Sequence, residues 1–125
     1  MKILVIIPVF NEEKNLEKCI DSFVNQTHKL SQITIVDDGS IDNTPLIGQK
    51  LEKSHGNIKF LRKRGAKSIA SPGKKIIQAF NYGLNKSSKN FDLIGKFDGD
   101  IELPKNYFQK MIKYFVNNKK LGMCG

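Results

Sequence analysis

Residues 3–12 read Ile3-Leu4-Val5-Ile6-Ile7-Pro8-Val9-Phe10-Asn11-Glu12, and this stretch decides the fold. Ile3 to Ile7 is a continuous apolar, largely β-branched run without polar alternation, which suits a central strand buried on both faces. Pro8 closes the run, and acidic turn chemistry follows at once. A strand buried on both faces needs helices above and below it, so strands and helices should alternate along the chain.

The rest of the sequence reads that way. Leu16, Cys19, Ile20, Phe23 and Val24 recur at helical spacing, predicting an amphipathic helix that begins near Glu12 or Glu13 with those carboxylates at its positive end. Ile33 to Val36 is a second apolar strand, closed by Asp37-Asp38-Gly39-Ser40. Thr44-Pro45 supplies an N-cap and a proline at the first helical position, for a helix through Leu51 that stops at Gly56. Ile58 to Leu61 is a third strand. After a basic stretch, Ser71-Pro72 repeats the cap-plus-proline signal, and Ile76, Ile77, Phe80 and Leu84 form the next apolar stripe. Leu93 to Phe97 is a fourth strand, ended by Asp98-Gly99-Asp100. Pro104 opens a last helix with Phe108, Met111, Ile112 and Phe115 inward, and Leu121 to Gly125 looks like the opening of a fifth strand. The pattern predicts one α/β domain over residues 1–125: a Rossmann-like, mostly parallel sheet with helices on both faces and right-handed crossovers.

Composition narrows the function classes. With 39% hydrophobic and 26% charged residues, this is an ordinary globular chain. The run from Ile3 to Val9 is too short to cross a bilayer and no signal-peptide cleavage site follows it, so a cytoplasmic domain is expected. Cys19 and Cys124 make no disulfide framework and neither has a metal-ligand neighbour at zinc spacing; Cys19 reads as a small buried hydrophobe. The net charge of +9 is spread in part over helix faces, at Lys105, Lys110 and Lys113, as solvated surface. Arg62, Lys63, Arg64 and Lys67 form a denser patch that could meet polyphosphate or anionic headgroups. No aromatic-rich RNA-binding signature accompanies it, and nucleic acid is not an expected partner.

In parallel α/β sheets, ligands bind beyond the carboxyl ends of the strands, near the point where strand order reverses. Three strand ends are polar here: Pro8 to Glu12, Asp37 to Ser40, and Asp98 to Asp100. Asp98 and Asp100 are one residue apart, so in extended chain their carboxylates lean to the same side. Two such carboxylates repel unless a cation lies between them or one is protonated. A hard divalent ion such as Mg²⁺ or Mn²⁺ takes one or two carboxylates and completes its shell with phosphate oxygens and water, and Glu102 could add a further oxygen. A plain Asx-type turn opening the next helix, and a plain β-turn at Gly39, are the structural alternatives.

Taken together, Ile6 to Glu13, Ile35 to Thr44, Pro72 to Lys75 with Asn81 to Leu84, and Phe97 to Asp100 resemble glycosyltransferase family 2. This is the large inverting family, of GT-A fold, that includes dolichyl-phosphate mannose synthases, cellulose synthases and many bacterial polysaccharide enzymes. The resemblance covers essentially the whole chain, and the order of four motifs is more specific than any one. It implies that Pro8, Phe10 and Glu12 border a nucleobase pocket, that Asp38 hydrogen-bonds the base with Asp37 nearby, and that Lys74 approaches the phosphates. It also implies that Asp98 binds ribose or metal, that Asp100 ligates a metal bridging the diphosphate, and that Glu102 sits where some relatives carry a further metal-binding residue. The donor would be a UDP- or GDP-linked sugar, transferred with inversion to an acceptor the motifs do not identify.

One departure carries weight. The family's general base and acceptor region lie well beyond the D-x-D motif, and no His, Asp or Glu follows Glu102 here. The expectation is therefore the donor-binding part of a longer enzyme, cut short after the D-x-D motif, inactive in transfer by itself and open to self-association along an exposed sheet edge. Membrane association is expected only of a full-length parent. Two other readings compete. A nucleotidyltransferase would share fold and aspartates but needs a Gly-rich loop after the first strand, and Pro8 to Glu13 has no glycine. A phosphatase using Asp98 as nucleophile would carry that motif on its first strand, not its fourth. A non-catalytic nucleotide-binding module is the remaining alternative.

Overall fold

A computed structural model describes residues 1–63, 72–87 and 90–117, with the side chains of 72–74 outside the description. Four strands, β1 (Ile3–Val9), β2 (Gln32–Asp37), β3 (Ile58–Arg62) and β4 (Leu93–Lys96), form one sheet in the order β3-β2-β1-β4. All three pairings are parallel, with Val5 opposite both Ile33 and Gly95. The mostly parallel α/β sheet expected from the sequence is the fold found. β1 is central, and its residues from Ile3 to Ile7 are all buried.

Alternation along β1 feeds two cores. Ile3, Val5, Ile7 and Val9 face α1 (Leu16–Val24), Leu51 of α2 (Thr44–Ser54) and Phe108 of α4 (Tyr107–Asn117). Leu4 and Ile6 face the other way, with Val36 and with Ala79 of α3 (Pro72–Lys86). The chain steps from β1 to β2 to β3 under helices on one face, then returns past β1 to β4 by a helix on the other. A constant crossover hand demands that change of face when strand order reverses.

α3 lies close to the sheet because its inner face is small. A Cβ on Gly83 would stand 2.8 Å from Val36 Cγ2 and 3.0 Å from Ile6 Cγ2. The predicted inward stripe is corrected accordingly: Ala79 is buried, whereas Ile76 and Ile77 are 39% and 59% exposed. Two helix starts also move. α1 begins at Leu16, after a turn in which the Glu12 carbonyl accepts the Asn15 and Leu16 amides, so only Glu17 stands in its first turn. α4 begins at Tyr107, because the Pro104 carbonyl is taken by the Tyr107 amide and by Gln26. Ser71, Cys124 and the expected fifth strand lie outside the described residues.

An aromatic cluster under the end of β4 fixes that strand end. Phe97 meets Phe23 edge-on at 5.1 Å between centroids, and Tyr107 and Phe108 at 5.9 and 5.7 Å. Each such pair adds about 0.5–1.5 kcal/mol beyond the area it buries.

Candidate functional site

β1, β2 and β4 end at one edge of the sheet, and a cavity of about 410 Å³ opens there, at the reversal of strand order. Pro8, Val9 and Phe10 line it from β1 and the turn after it, and Ala79 and Ile76 line it from α3. Among the described residues, its ionisable lining consists of Glu12, Asp38, Lys75, Asp98 and Asp100. Most of the residues singled out in the sequence therefore meet in one place.

Two loops make one wall. The Asn11 amide donates to Ser40 Oγ at 2.8 Å, and Asn11 Oδ1 accepts the Ile41 amide at 3.0 Å. The Glu12 amide donates to Thr44 Oγ1 at 2.8 Å, and Glu13 Oε2 accepts the Asn43 amide at 3.0 Å. Asn11 reaches this geometry at φ 51°, a left-handed backbone that Asn tolerates better than most residues. Asp42 joins the two loops by accepting the Thr44 hydroxyl at 2.5 Å and amides from Thr44 and Glu13. Desolvation pushes its carboxyl up, and those hydrogen bonds, led by the Thr44 hydroxyl, together outweigh it and hold it below its ordinary range.

Asp37 and Asp38 divide the work of the second turn. Asp37 is fully buried, accepts the Ser40 hydroxyl and the Ser40 amide, and pairs with Arg62 Nε at 3.4 Å. It does not line the cavity; it shapes the turn. Asp38 does line it, with Lys63 Nζ at 3.9 Å. Arg62 also donates to the Ser40 carbonyl at 3.1 Å, so the described half of the basic patch braces this turn. Arg64 and Lys67 lie outside the described residues.

The opposite wall is the Asp98-Gly99-Asp100 turn. A Cβ on Gly99 would stand 2.6 Å from Val9 Cγ1, so only glycine lets this turn close against β1. Asp98 is 66% exposed at its side chain, with Lys96 Nζ at 3.9 Å, and Asp100 is exposed. Glu102 is exposed and is not among the lining residues. Among the described residues no three His, Cys, Asp or Glu side chains gather into a ready-made metal cage. Asp98 and Asp100 do offer hard oxygen donors in the cavity, a set that suits an ion sharing its shell with phosphate. Cys19 lies beneath the turn, its thiol pushed up to about 12 by burial, against a lowering hydrogen bond from Ile101, with Asp100, Glu12 and Glu102 raising it further. It is the buried small side chain expected.

Some lining residues escaped the sequence reading. Lys75 lines the cavity, while the side chain of Lys74, the lysine picked from the resemblance, lies outside the described residues. Lys75 and Ala79 are four apart on α3, a helix-face signal that was available once the helix was placed.

The family model described as glycosyl transferase family 2 matches residues 4–125. The chain belongs to this family. Among curated relatives it is 33% identical over 115 residues to glycosyltransferase GlyA of Streptococcus pneumoniae, covering 92% of this chain and 15% of that protein. It is 35% identical over 102 residues to the GalNAc(5)-diNAcBac-PP-undecaprenol β-1,3-glucosyltransferase of Campylobacter jejuni, covering 82% of this chain and 30% of that one. The chain thus spans less than a third of either relative's length. Solved structures share its fold. Residues 1–349 of S. aureus TarS, in complex with UDP, superpose with a TM-score of 0.76 at 23% identity, over 95% of this chain and 33% of that one. The mannosyltransferase PcManGT from Pyrobaculum calidifontis, in complex with GDP-Man and Mn²⁺, gives 0.75 at 20% identity, over 94% and 33%. Among the described residues no helix is long and apolar enough to cross a membrane.

Proposed function

We propose that this chain is the donor site of a glycosyltransferase, binding a nucleotide-diphosphate sugar together with Mg²⁺ or Mn²⁺. The supporting observation is the charge of the cavity: among the described side chains, four carboxylates, Glu12, Asp38, Asp98 and Asp100, line it with one lysine, Lys75, in a chain whose net charge is +9. A diphosphate entering that cavity meets like charge, and a divalent cation is the simplest way to join the two. Membership of glycosyl transferase family 2, and solved structures of like fold in complex with UDP and with GDP-Man and Mn²⁺, support the same ligand class.

In this reading Pro8, Phe10 and Glu12 border the base, and Asp38 accepts a base or ribose donor from a turn that Asp37 holds in shape. Asp98 and Asp100 present oxygens to the metal, and Lys75, with Lys74, supplies positive charge to the phosphates. The bound ion would offset charge on the departing diphosphate. The whole enzyme would transfer the sugar with inversion, on the cytoplasmic side. Transfer also needs a base within reach of the acceptor's proton, and residues 103–125 contain no Asp, Glu or His. This chain by itself is therefore expected to bind donor without acceptor-dependent turnover. A thermal-shift screen of nucleoside diphosphates, with Mn²⁺ and with EDTA, tests the reading. A shift for UDP or GDP that needs the metal is the expected result, and equal shifts in EDTA would count against it.

A further inference from the structure

The inner face of α1, continued one turn beyond its end, carries a polar stripe at Cys19, Ser22 and Gln26 among apolar neighbours. All three touch the backbone around and after the acidic turn. Cys19 Sγ donates to the Asp98 carbonyl at 3.6 Å. Ser22 Oγ accepts the Leu103 amide at 3.1 Å and donates to the Cys19 carbonyl at 2.7 Å. Gln26, 1% exposed, donates through Nε2 to the carbonyls of Ser22 at 2.9 Å and Pro104 at 2.7 Å, and its Oε1 accepts the Phe108 amide at 3.1 Å. Both amide hydrogens and the amide oxygen are thus used, with good geometry, in a dry place. Residues 101–106 belong to no helix or strand, so their backbone groups have few regular partners. The buried glutamine bonds the Pro104 carbonyl within that segment and the Phe108 amide in the first turn of α4, spanning the turn between them.

We propose that Gln26, assisted by Ser22, is a positioning residue for metal-assisted diphosphate binding. It fixes the segment from Leu103 to Phe108 and thereby the aim of the Asp98 and Asp100 carboxylates, which have few anchors of their own. This rests on the donor-site reading above. Direct hydrogen-bond partners of metal ligands commonly contribute 10- to 100-fold in metal affinity; Gln26 acts through the backbone four residues beyond Asp100, so the lower end of that range applies.

The test is calorimetric titration of UDP and GDP, with and without Mn²⁺, into the wild-type chain and three variants. Gln26→Met keeps length and removes every polar contact; Ser22→Ala removes the bonds to the Leu103 amide and the Cys19 carbonyl and leaves those of Gln26 in place. Leu51→Val, on α2 where it packs toward β2 and β3, is a control for general destabilisation. Gln26→Met should reduce the Mn²⁺ enhancement by about tenfold, with metal-free binding within about twofold of wild type. Ser22→Ala should move in the same direction by less, and Leu51→Val should lower the melting temperature without changing the enhancement. Full enhancement in Gln26→Met and Ser22→Ala, or an equal loss in Leu51→Val, overturns the positioning role while the donor site stands. If Gln26→Met does not fold, Ser22→Ala against Leu51→Val decides. No Mn²⁺ enhancement in the wild type sinks the donor-site reading and this one with it.

Discussion

The two walls of the cavity are built on opposite plans. The wall formed by residues 10–13 and 37–44 is closed on itself: side chains of Asn11, Glu13, Asp37, Ser40, Asp42 and Thr44 spend their polar atoms on one another's loops. The wall formed by residues 98–102 is held from below through its backbone, by Phe97 in the core and by α1, while its carboxylates stand exposed. The first wall is a finished shape that can receive a rigid, uncharged group such as a base. The second presents exposed carboxylates, with Lys96 Nζ 3.9 Å from Asp98, and it suits a ligand that brings a cation.

This contrast predicts opposite results from two aspartates. Asp37→Ala should lower stability by about 2–3 kcal/mol, because hydrogen bonds to a charged acceptor are worth about 1.5–3 kcal/mol and Ser40 and Arg62 lose theirs together. Urea denaturation reads this directly. Asp100→Asn should leave stability unchanged or slightly raised, by relieving repulsion with Asp98, while removing most of the metal-dependent binding. Equal destabilisation by both variants would erase the distinction between the walls.

A smaller effect separates backbone from side chain within the first wall. Asn11→Ala forces a left-handed backbone on alanine, at roughly 1–2 kcal/mol, and loses the bond to the Ile41 amide. Asn11→Gly loses only that bond, so the glycine variant should melt above the alanine variant. The reverse order would mean that the φ of Asn11 is not what holds the loop.

The smallest effect belongs to Cys19, beneath the second wall. Its thiol is held at about 12 in the folded chain against 9.0 ordinarily, so between these values the unfolded chain releases a proton that the folded chain keeps. Its contribution is complete below pH 9.0 and declines as pH rises toward 12, with a slope of at most about 1.4 kcal/mol per pH unit. Melting temperature against pH should fall more steeply above pH 9 in the wild type than in Cys19→Ala. Parallel curves would place Cys19 outside the dry core.

The sheet was legible because Ile3 to Ile7 has no polar alternation, and the convergence of Asp38, Asp98 and Asp100 followed from parallel topology. What escaped notice depended on side chains reaching between segments far apart in the chain. Helix starts at Leu16 and Tyr107 were misplaced because Glu12 bonds Thr44 and Pro104 bonds Gln26, partners 32 and 78 residues away. The different fates of neighbouring Asp37 and Asp38 were equally hidden, since Asp37 is drawn inward by Ser40 and by Arg62 at the end of β3. Lys75 could be recognised as lining the cavity only once α3 had a defined rotation over the sheet.

The most direct test of the two-wall account compares a nucleoside with its diphosphate. Uridine and UDP, and guanosine and GDP, would be titrated calorimetrically into the wild-type chain with Mn²⁺ and with EDTA. The metal should strengthen binding of the diphosphate whose base fits and leave binding of the matching nucleoside unchanged. An equal gain for nucleoside and diphosphate, or no gain for either, would contradict the two-wall account.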